Sequence, residues 1–124
     1  MKHILIVDDE LDITCVLEDY LVKHGFSVTV THTGEAALRI TKACYPDLLV
    51  LDLKLPDVNG EAVCQEIKHS DDLKLRNTPI LVLSAKTSDV DHVFCAVIGA
   101  RAYLEKPFHP SRVVETIENI LYKT

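Results

Sequence analysis

Short apolar runs alternate with segments of helical period along almost the whole chain. Three runs, HILIV, LLVLD and ILVLS, are nearly continuous in apolar residues, which is typical of strands buried on both faces of a parallel sheet. Together with two weaker segments they give five predicted strands: His3–Val7, Ser27–Thr31, Leu48–Asp52, Ile80–Ser84 and Ala102–Glu105.

Apolar stripes at helical spacing follow these strands, and they lie at positions 13–21, 36–44, 63–67, 90–97 and 113–121. Gly25 and Pro46 are placed to end the first two helices, and Ser88-x-x-Asp91 is a capping box for the fourth. Strict alternation of strand and helix predicts one α/β domain over residues 1–124, a doubly wound (βα)₅ fold. In such folds ligands bind beyond the carboxyl ends of the strands.

Composition narrows the class of function. The chain has 124 residues, 48% of them hydrophobic, and a net charge of −6, which disfavours contact with nucleic acid or an anionic membrane. No apolar run reaches the ~20 residues that span a bilayer. The four cysteines have no metal-ligand spacing and no signal peptide precedes them, so we expect reduced thiols and a cytoplasmic protein.

Carboxylates follow two of the predicted strands. Asp8-Asp9-Glu10 follows the first strand and Asp52 ends the third, so Asp8, Asp9 and Asp52 are expected to meet at one edge of the sheet. Glu10 is expected to act only in the first turn of the following helix. Adjacent carboxylates repel one another unless a cation lies among them, and oxygen donors alone favour Mg²⁺, or Mn²⁺ in its place.

Two further groups at this edge suit a phosphoryl group. Lys106 follows the fifth strand and offers a positive charge, and Ser84 ends the fourth strand and offers a hydroxyl. Singly, Asp52 could start a turn, Ser84 could cap a loop and Lys106 could be a solvated charge. Together they predict a phosphoryl-transfer site in which Asp52 is the nucleophile.

Four stretches of the sequence resemble the response-regulator receiver domain, the phosphorylation-controlled module of two-component signalling. They are ILIVDDE (4–10), LLVLDLKLPDVNG (48–60), ILVLSA (80–85) and GARAYLEKPF (99–108). Their order and spacing extend the resemblance over essentially all of the chain, as a single receiver domain. It implies a flavodoxin-like three-layer sandwich with strand order 2-1-3-4-5.

The resemblance also implies a role for each residue at the strand ends. Asp52 would be the phosphoacceptor, and Asp9 and Asp52 would bind Mg²⁺ through their side chains. Lys54 would bind the ion through its backbone carbonyl, and Asp8 mainly through water. Lys106 would pair with the phosphoryl group.

A switch between two states is implied as well. Ser84 would close onto the phosphoryl group, and Tyr103 would move inward behind it, although Tyr103 could also be an ordinary half-buried strand residue. The Lys106-Pro107 bond would be cis. The face formed by the fourth helix, the fifth strand and the fifth helix would then change its binding of a partner.

The implied partners are a sensor histidine kinase or phosphotransfer protein, and a downstream protein or a second copy of this chain. No direct contact with nucleic acid or membrane is expected. The chain would not be a turnover enzyme, although it would catalyse its own phosphorylation and dephosphorylation. It ends soon after the fifth predicted helix, so a stand-alone regulator and a receiver from a longer protein both remain open.

Three other functions fit the fold less well. A flavodoxin would need a phosphate-binding loop where Asp8-Asp9-Glu10 stands, and an aspartyl-phosphate phosphatase would need a D-x-D motif there. A pseudo-receiver would lack the acceptor or the lysine. Arg101-Ala102 replaces acidic residues that DNA-binding receivers often carry, which weighs against their mode of dimerisation.

Overall fold

The five predicted strands lie at the bounds that the sequence indicates. In the computed structural model, which describes residues 1–85 and 99–122, they form one parallel sheet in the order β2-β1-β3-β4-β5. The strands are β1 (His3–Val7), β2 (Ser27–Thr31), β3 (Leu48–Asp52), β4 (Ile80–Ser84) and β5 (Ala102–Glu105). The expected strand order is therefore confirmed.

Five helices lie in the described ranges: α1 (Leu11–Lys23), α2 (Gly34–Cys44), α3 (Gly60–Lys68), α4 (Leu73–Arg76) and α5 (Pro110–Tyr122). The fourth predicted helix, at 90–97, and its capping box lie outside the described residues. The single turn α4 was not predicted, because four residues are too few to show a helical stripe. None of the described helices is long and apolar enough to cross a bilayer.

Local signals account for the helix ends. Thr33 and Asn59 cap α2 and α3 by accepting hydrogen bonds from the backbone N–H groups of Ala36 and Ala62. After α1, Gly25 takes a positive φ of 91°, a conformation that glycine adopts without a steric cost. The predicted ends at Gly25 and Pro46 are thus consistent with the observed bounds.

Alternate residues of the central strands face two separate apolar clusters. Ile4 and Ile6 pack with α1 and α5 on one face of the sheet, and Leu5 and Val7 pack with α2 and α3 on the other. All four of these side chains are fully buried, and complete burial stabilises each by roughly 1.5–3 kcal/mol. Two helical layers around one sheet confirm the three-layer sandwich.

The register brings the carboxyl ends of the strands together. Val7 of β1 pairs with Leu51 of β3, so Asp8, directly after β1, is a neighbour of Asp52, the last residue of β3. On the other side of β3, Asp52 pairs with Leu83. The order of the strands reverses between β1 and β3, and ligand sites in such sheets lie at that reversal.

Candidate functional site

Four carboxylates converge at this reversal. One oxygen each from Asp8, Asp9, Glu10 and Asp52 lies within 4.8 Å of the others. Asp8 and Asp52 are 1% and 3% exposed, whereas Asp9 and Glu10 are open to solvent. The chain turns sharply after β1, because the Glu10 N–H donates to Asp8 Oδ1 at 2.9 Å.

The lysine after β5 reaches into this cluster. Lys106 Nζ lies 2.9 Å from Asp8 Oδ2, 3.3 Å from Asp52 Oδ2 and 2.8 Å from Glu10 Oε1. The Lys106 N–H donates to the carbonyl of Ser84 at 2.8 Å, which fixes the start of the side chain beside β4. The following Lys106-Pro107 peptide bond is cis.

Glu10 corrects one expectation from the sequence. It occupies the N-cap position of α1 but makes no capping hydrogen bond with its side chain, which turns instead to Lys106. The expectation that Glu10 acts only in the helix is therefore wrong. The positive end of α1 is the nearest partner of Glu10 in sequence, but Lys106, 96 residues away, is its partner in the fold.

Burial and charge act in opposite directions on the two central groups. Burial, and after it the charge of Asp8, raises the pKa of Asp52 from 3.8 to about 6, against the lowering effects of the Lys54 N–H and Lys106. Burial disfavours the charged form of Lys106, but contact with Glu10 and Asp8 and the charge of Asp52 outweigh it and raise the lysine's pKa. Lys106 therefore stays positively charged, and the Asp52 carboxyl group beside it loses its proton at a higher pH than an ordinary aspartate does.

The remaining predicted residues follow β3 or lie on β4 and β5. Lys54 lines a cavity of about 200 Å³ with Asp9, Asp52 and Lys106, and its N–H donates to Asp52 Oδ1 at 3.2 Å. Ser84 ends the neighbouring strand and is fully buried. Tyr103 lies one strand further, in register with Val82, and is half-buried against the apolar cluster on the α2–α3 face.

The cluster suits a small divalent cation. Asp8 Oδ2 is buried beside Lys106, yet no donor in the described part of the chain is aligned with it for a hydrogen bond. The donors are carboxylate oxygens around an open cavity, and Mg²⁺ prefers a few such oxygens together with water. The residues present therefore fit the metal that the sequence predicts.

Two other contacts were not predicted from the sequence. The Nδ1 atom of His32 lies 2.9 Å from the backbone carbonyl oxygen of Asp8, and Asp57 binds the start of α2. A lone histidine after a strand carries no signal of this contact. The Pro56-Asp57 pair indicated only a turn.

Comparisons with known proteins agree with this geometry. The family model of the response regulator receiver domain matches residues 4–118. The response regulator SaeR of Staphylococcus aureus is 38% identical over 121 residues, which are 98% of this chain and 51% of that protein. The chain thus spans about half the length of the curated relatives that it matches.

Two solved structures share the fold. A putative response regulator from Chloroflexus aurantiacus has a TM-score of 0.90 and 32% identity over 98% of both chains. The BeF3-activated N-terminal receiver domain of Klebsiella pneumoniae RstA has a TM-score of 0.87 and 26% identity, over 98% of this chain and 100% of that one. By its family match, its sequence relatives and its strand order, this chain belongs to the response regulator receiver domain family of two-component systems.

Proposed function

We propose that this chain is a phosphorylation-dependent switch in which Asp52 receives a phosphoryl group from a phosphohistidine of a histidine kinase or phosphotransfer protein. The observation that carries the proposal is the pairing of a buried carboxylate with a buried cation. Asp52 ends β3 with 4% of its side chain exposed, and Lys106 Nζ lies 3.3 Å from it. The adjoining cavity gives a donor access to Asp52.

The reaction is a transfer between two nucleophiles. A carboxylate oxygen of Asp52 attacks the phosphorus, the P–N bond to the donor imidazole breaks, and an acyl phosphate forms on Asp52. The leaving imidazole takes up a proton from solvent. Lys106 is placed to move its positive charge from Asp8 and Glu10 to an oxygen of the phosphoryl group, so that charge develops next to an existing cation.

The metal's role is confined to charge and geometry. Asp9 and Asp52 would hold Mg²⁺ through their carboxylates, Lys54 through its carbonyl, and Asp8 through water. Bound there, the ion would supply positive charge to neutralise and orient the phosphoryl oxygens. The chain's own contribution is to hold Asp52 out of bulk solvent and to bring Lys106 to the phosphoryl group.

Phosphorylation would then change the surface of the domain. Ser84 would donate its hydroxyl to the phosphoryl group, and Tyr103, now half-buried, would pack further inward. Two or three charge-assisted hydrogen bonds of ~1.5–3 kcal/mol each are enough to shift a two-state equilibrium. The β5–α5 face would then bind a downstream protein or a second copy differently. The chain would catalyse its own phosphorylation and dephosphorylation without being a turnover enzyme.

The proposal predicts a defined change of mass. Incubation with Mg²⁺ and a small phosphodonor such as acetyl phosphate should add about 80 Da, the mass of one phosphoryl group, to the intact protein. A chelator of Mg²⁺ should prevent the gain, because charge on the phosphoryl group then remains unneutralised. Intact-mass spectrometry measures both results directly.

Two variants locate the acceptor. Asp52→Asn should show no gain of mass, since an amide is not a nucleophile at this site. Asp19→Asn alters an exposed carboxylate that pairs with Lys23 on α1, and it should gain the phosphoryl group as the wild type does. A wild type that gains no mass, or an Asp52→Asn protein that gains it, would contradict the proposal. The first result would favour a pseudo-receiver.

A further inference from the structure

The loop that follows the phosphoacceptor strand is fixed at both of its ends. At its start, the Lys54 N–H donates to Asp52 Oδ1 at 3.2 Å. At its end, the Gly60 N–H donates to the carbonyl of Leu53 at 2.8 Å, and a Cβ on Gly60 would lie 2.5 Å from the carbonyl oxygen of Asp52. The backbone of the loop therefore lies directly against the candidate site.

A third attachment lies at the tip of this loop and reaches a different element. Asp57 Oδ1 accepts from the N–H of Gly34 at 2.8 Å, and Asp57 Oδ2 accepts from the N–H of Glu35 at 2.9 Å. One carboxylate thus takes two of the free N–H groups in the first turn of α2. The positive end of that helix favours a negative charge at this position.

The missing side chain of Gly34 lets the loop come this close. A Cβ at Gly34 would lie 2.2 Å from Val58 Cγ2 and 3.1 Å from Val63 Cγ2, so the loop and α3 both pack on the bare glycine. The helix already has a local cap, because Thr33 accepts from the N–H of Ala36 at 3.1 Å. Asp57 therefore adds a bridge between distant segments to a helix start that is capped without it.

We propose that Asp57 is a positioning residue of the phosphoryl-transfer site. By tying the tip of the loop to α2, it holds the loop that carries Lys54 in one conformation before the metal and the phosphoryl group arrive. The inference rests on the proposed function, since Lys54 matters only as the carbonyl ligand of the metal.

The physical reason is the cost of ordering the loop. Mg²⁺ accepts little deviation from octahedral geometry, so a carbonyl ligand on a wandering loop must be ordered when the ion binds. A loop whose tip is already held loses its conformational freedom during folding, so ion binding does not have to order it. Loss of the tie should therefore weaken Mg²⁺ binding, as loss of an outer hydrogen-bond partner weakens other metal sites.

The test compares Asp57→Ala with Thr33→Ala in the full chain, using Mg²⁺ itself as the probe. Each variant removes hydrogen bonds from the first turn of α2, but only Asp57→Ala releases the loop. We expect the Kd for Mg²⁺, measured by calorimetric titration, to rise about tenfold in Asp57→Ala and less than about twofold in Thr33→Ala. At limiting Mg²⁺ the rate of phosphorylation should fall more in Asp57→Ala than in Thr33→Ala. At saturating Mg²⁺ the rate should recover in both variants.

A second variant separates position from charge. Gly34→Ala keeps the carboxylate of Asp57, but its new methyl group collides with Val58 and pushes the loop away from α2. It should weaken Mg²⁺ binding as Asp57→Ala does. Glu35→Gln removes a nearby exposed negative charge and leaves its N–H in place, so it should bind Mg²⁺ nearly as the wild type does.

The outcomes distinguish this inference from the proposed function. If the wild type accepts a phosphoryl group but Asp57→Ala and Gly34→Ala bind Mg²⁺ as tightly as Thr33→Ala does, Asp57 is only a helix cap and the inference is overturned. If Glu35→Gln weakens binding as much as Asp57→Ala does, charge explains the effect and the inference is again overturned. A wild type that binds Mg²⁺ but takes no phosphoryl group contradicts the proposed function alone.

Discussion

Replacing Lys106 with methionine should lower the free energy of unfolding by about 2–3 kcal/mol in Mg²⁺-free buffer near neutral pH. The side chain of Lys106 is 10% exposed, and its ammonium group contacts the carboxylates of Asp8, Glu10 and Asp52. Asp8 and Asp52 are buried, so their charges would be left in a poorly solvated position without a counterion. Asp52 can relieve part of this cost by taking up a proton, because its pKa is already raised to about 6.

Urea unfolding followed by circular dichroism measures this loss, and two variants control for it. Lys106→Arg keeps the positive charge and should retain most of the stability. Lys23→Met removes an exposed lysine, 70% solvent-accessible, that pairs with Asp19 one turn away at 3.0 Å. Such a pair contributes less than about 0.5 kcal/mol, so Lys23→Met should be nearly neutral.

Mg²⁺ should reverse the loss. A divalent cation among the carboxylates replaces the missing charge, so saturating Mg²⁺ should stabilise Lys106→Met more than it stabilises the wild type. Phosphorylation should still be slow in the variant, because no cation then pairs with the phosphoryl group in the transition state. Equal stabilisation of both proteins by Mg²⁺ would show that the lysine and the metal do not share one acidic cluster.

Asp52→Asn should make the protein more stable above pH 6 in the presence of a chelator. Burial and the charge of Asp8 raise the pKa of Asp52 from 3.8 to about 6. The folded protein thus binds the proton of Asp52 more tightly than the unfolded chain does, and ionisation favours unfolding. The stabilising effect of the protonated group is complete below pH 3.8 and is lost as the pH rises through about 6.

The size of this effect follows from the shift. A rise of about two units in the pKa of Asp52 corresponds to at most about 3 kcal/mol in the free energy of unfolding, and asparagine removes the group that titrates. The free energy of unfolding of Asp52→Asn should therefore exceed that of the wild type by up to about 3 kcal/mol above pH 6 and approach it in acid. Asp19→Asn should follow the wild-type curve. If the difference in free energy of unfolding between the wild type and Asp52→Asn stays constant across this pH range, Asp52 does not carry the raised pKa.

Much of the fold could be predicted from local sequence alone. The runs HILIV, LLVLD and ILVLS are apolar at nearly all successive positions, which is typical of strands covered on both faces. Gly25 and Pro46 marked helix ends through their own backbones, because glycine permits a positive φ and proline lacks the N–H that a helix needs. The turn α4 has no such signal beyond Asp72, whose side chain accepts from the N–H groups of Lys74 and Leu75.

The candidate site, too, could be predicted only in part. Asp8, Asp9, Asp52 and Lys106 were predicted to meet because each ends or follows a strand, and parallel strands end at one edge of their sheet. The raised pKa of Asp52 was not predictable, since it depends on how deeply folding buries that carboxyl group. The contact of His32 with the carbonyl of Asp8 also depends on where a side chain points after folding.

The sequence by itself determined the strands, the order of acidic and basic residues at their ends and, through resemblance, the family. Only the tertiary structure decided that Glu10 pairs with Lys106, 96 residues away, and that Asp57 ties its loop to Gly34, 23 residues away. A strand or a cap is set by neighbours along the chain, so its signal is local. A contact between distant segments depends on the packed positions of both, which no local pattern encodes.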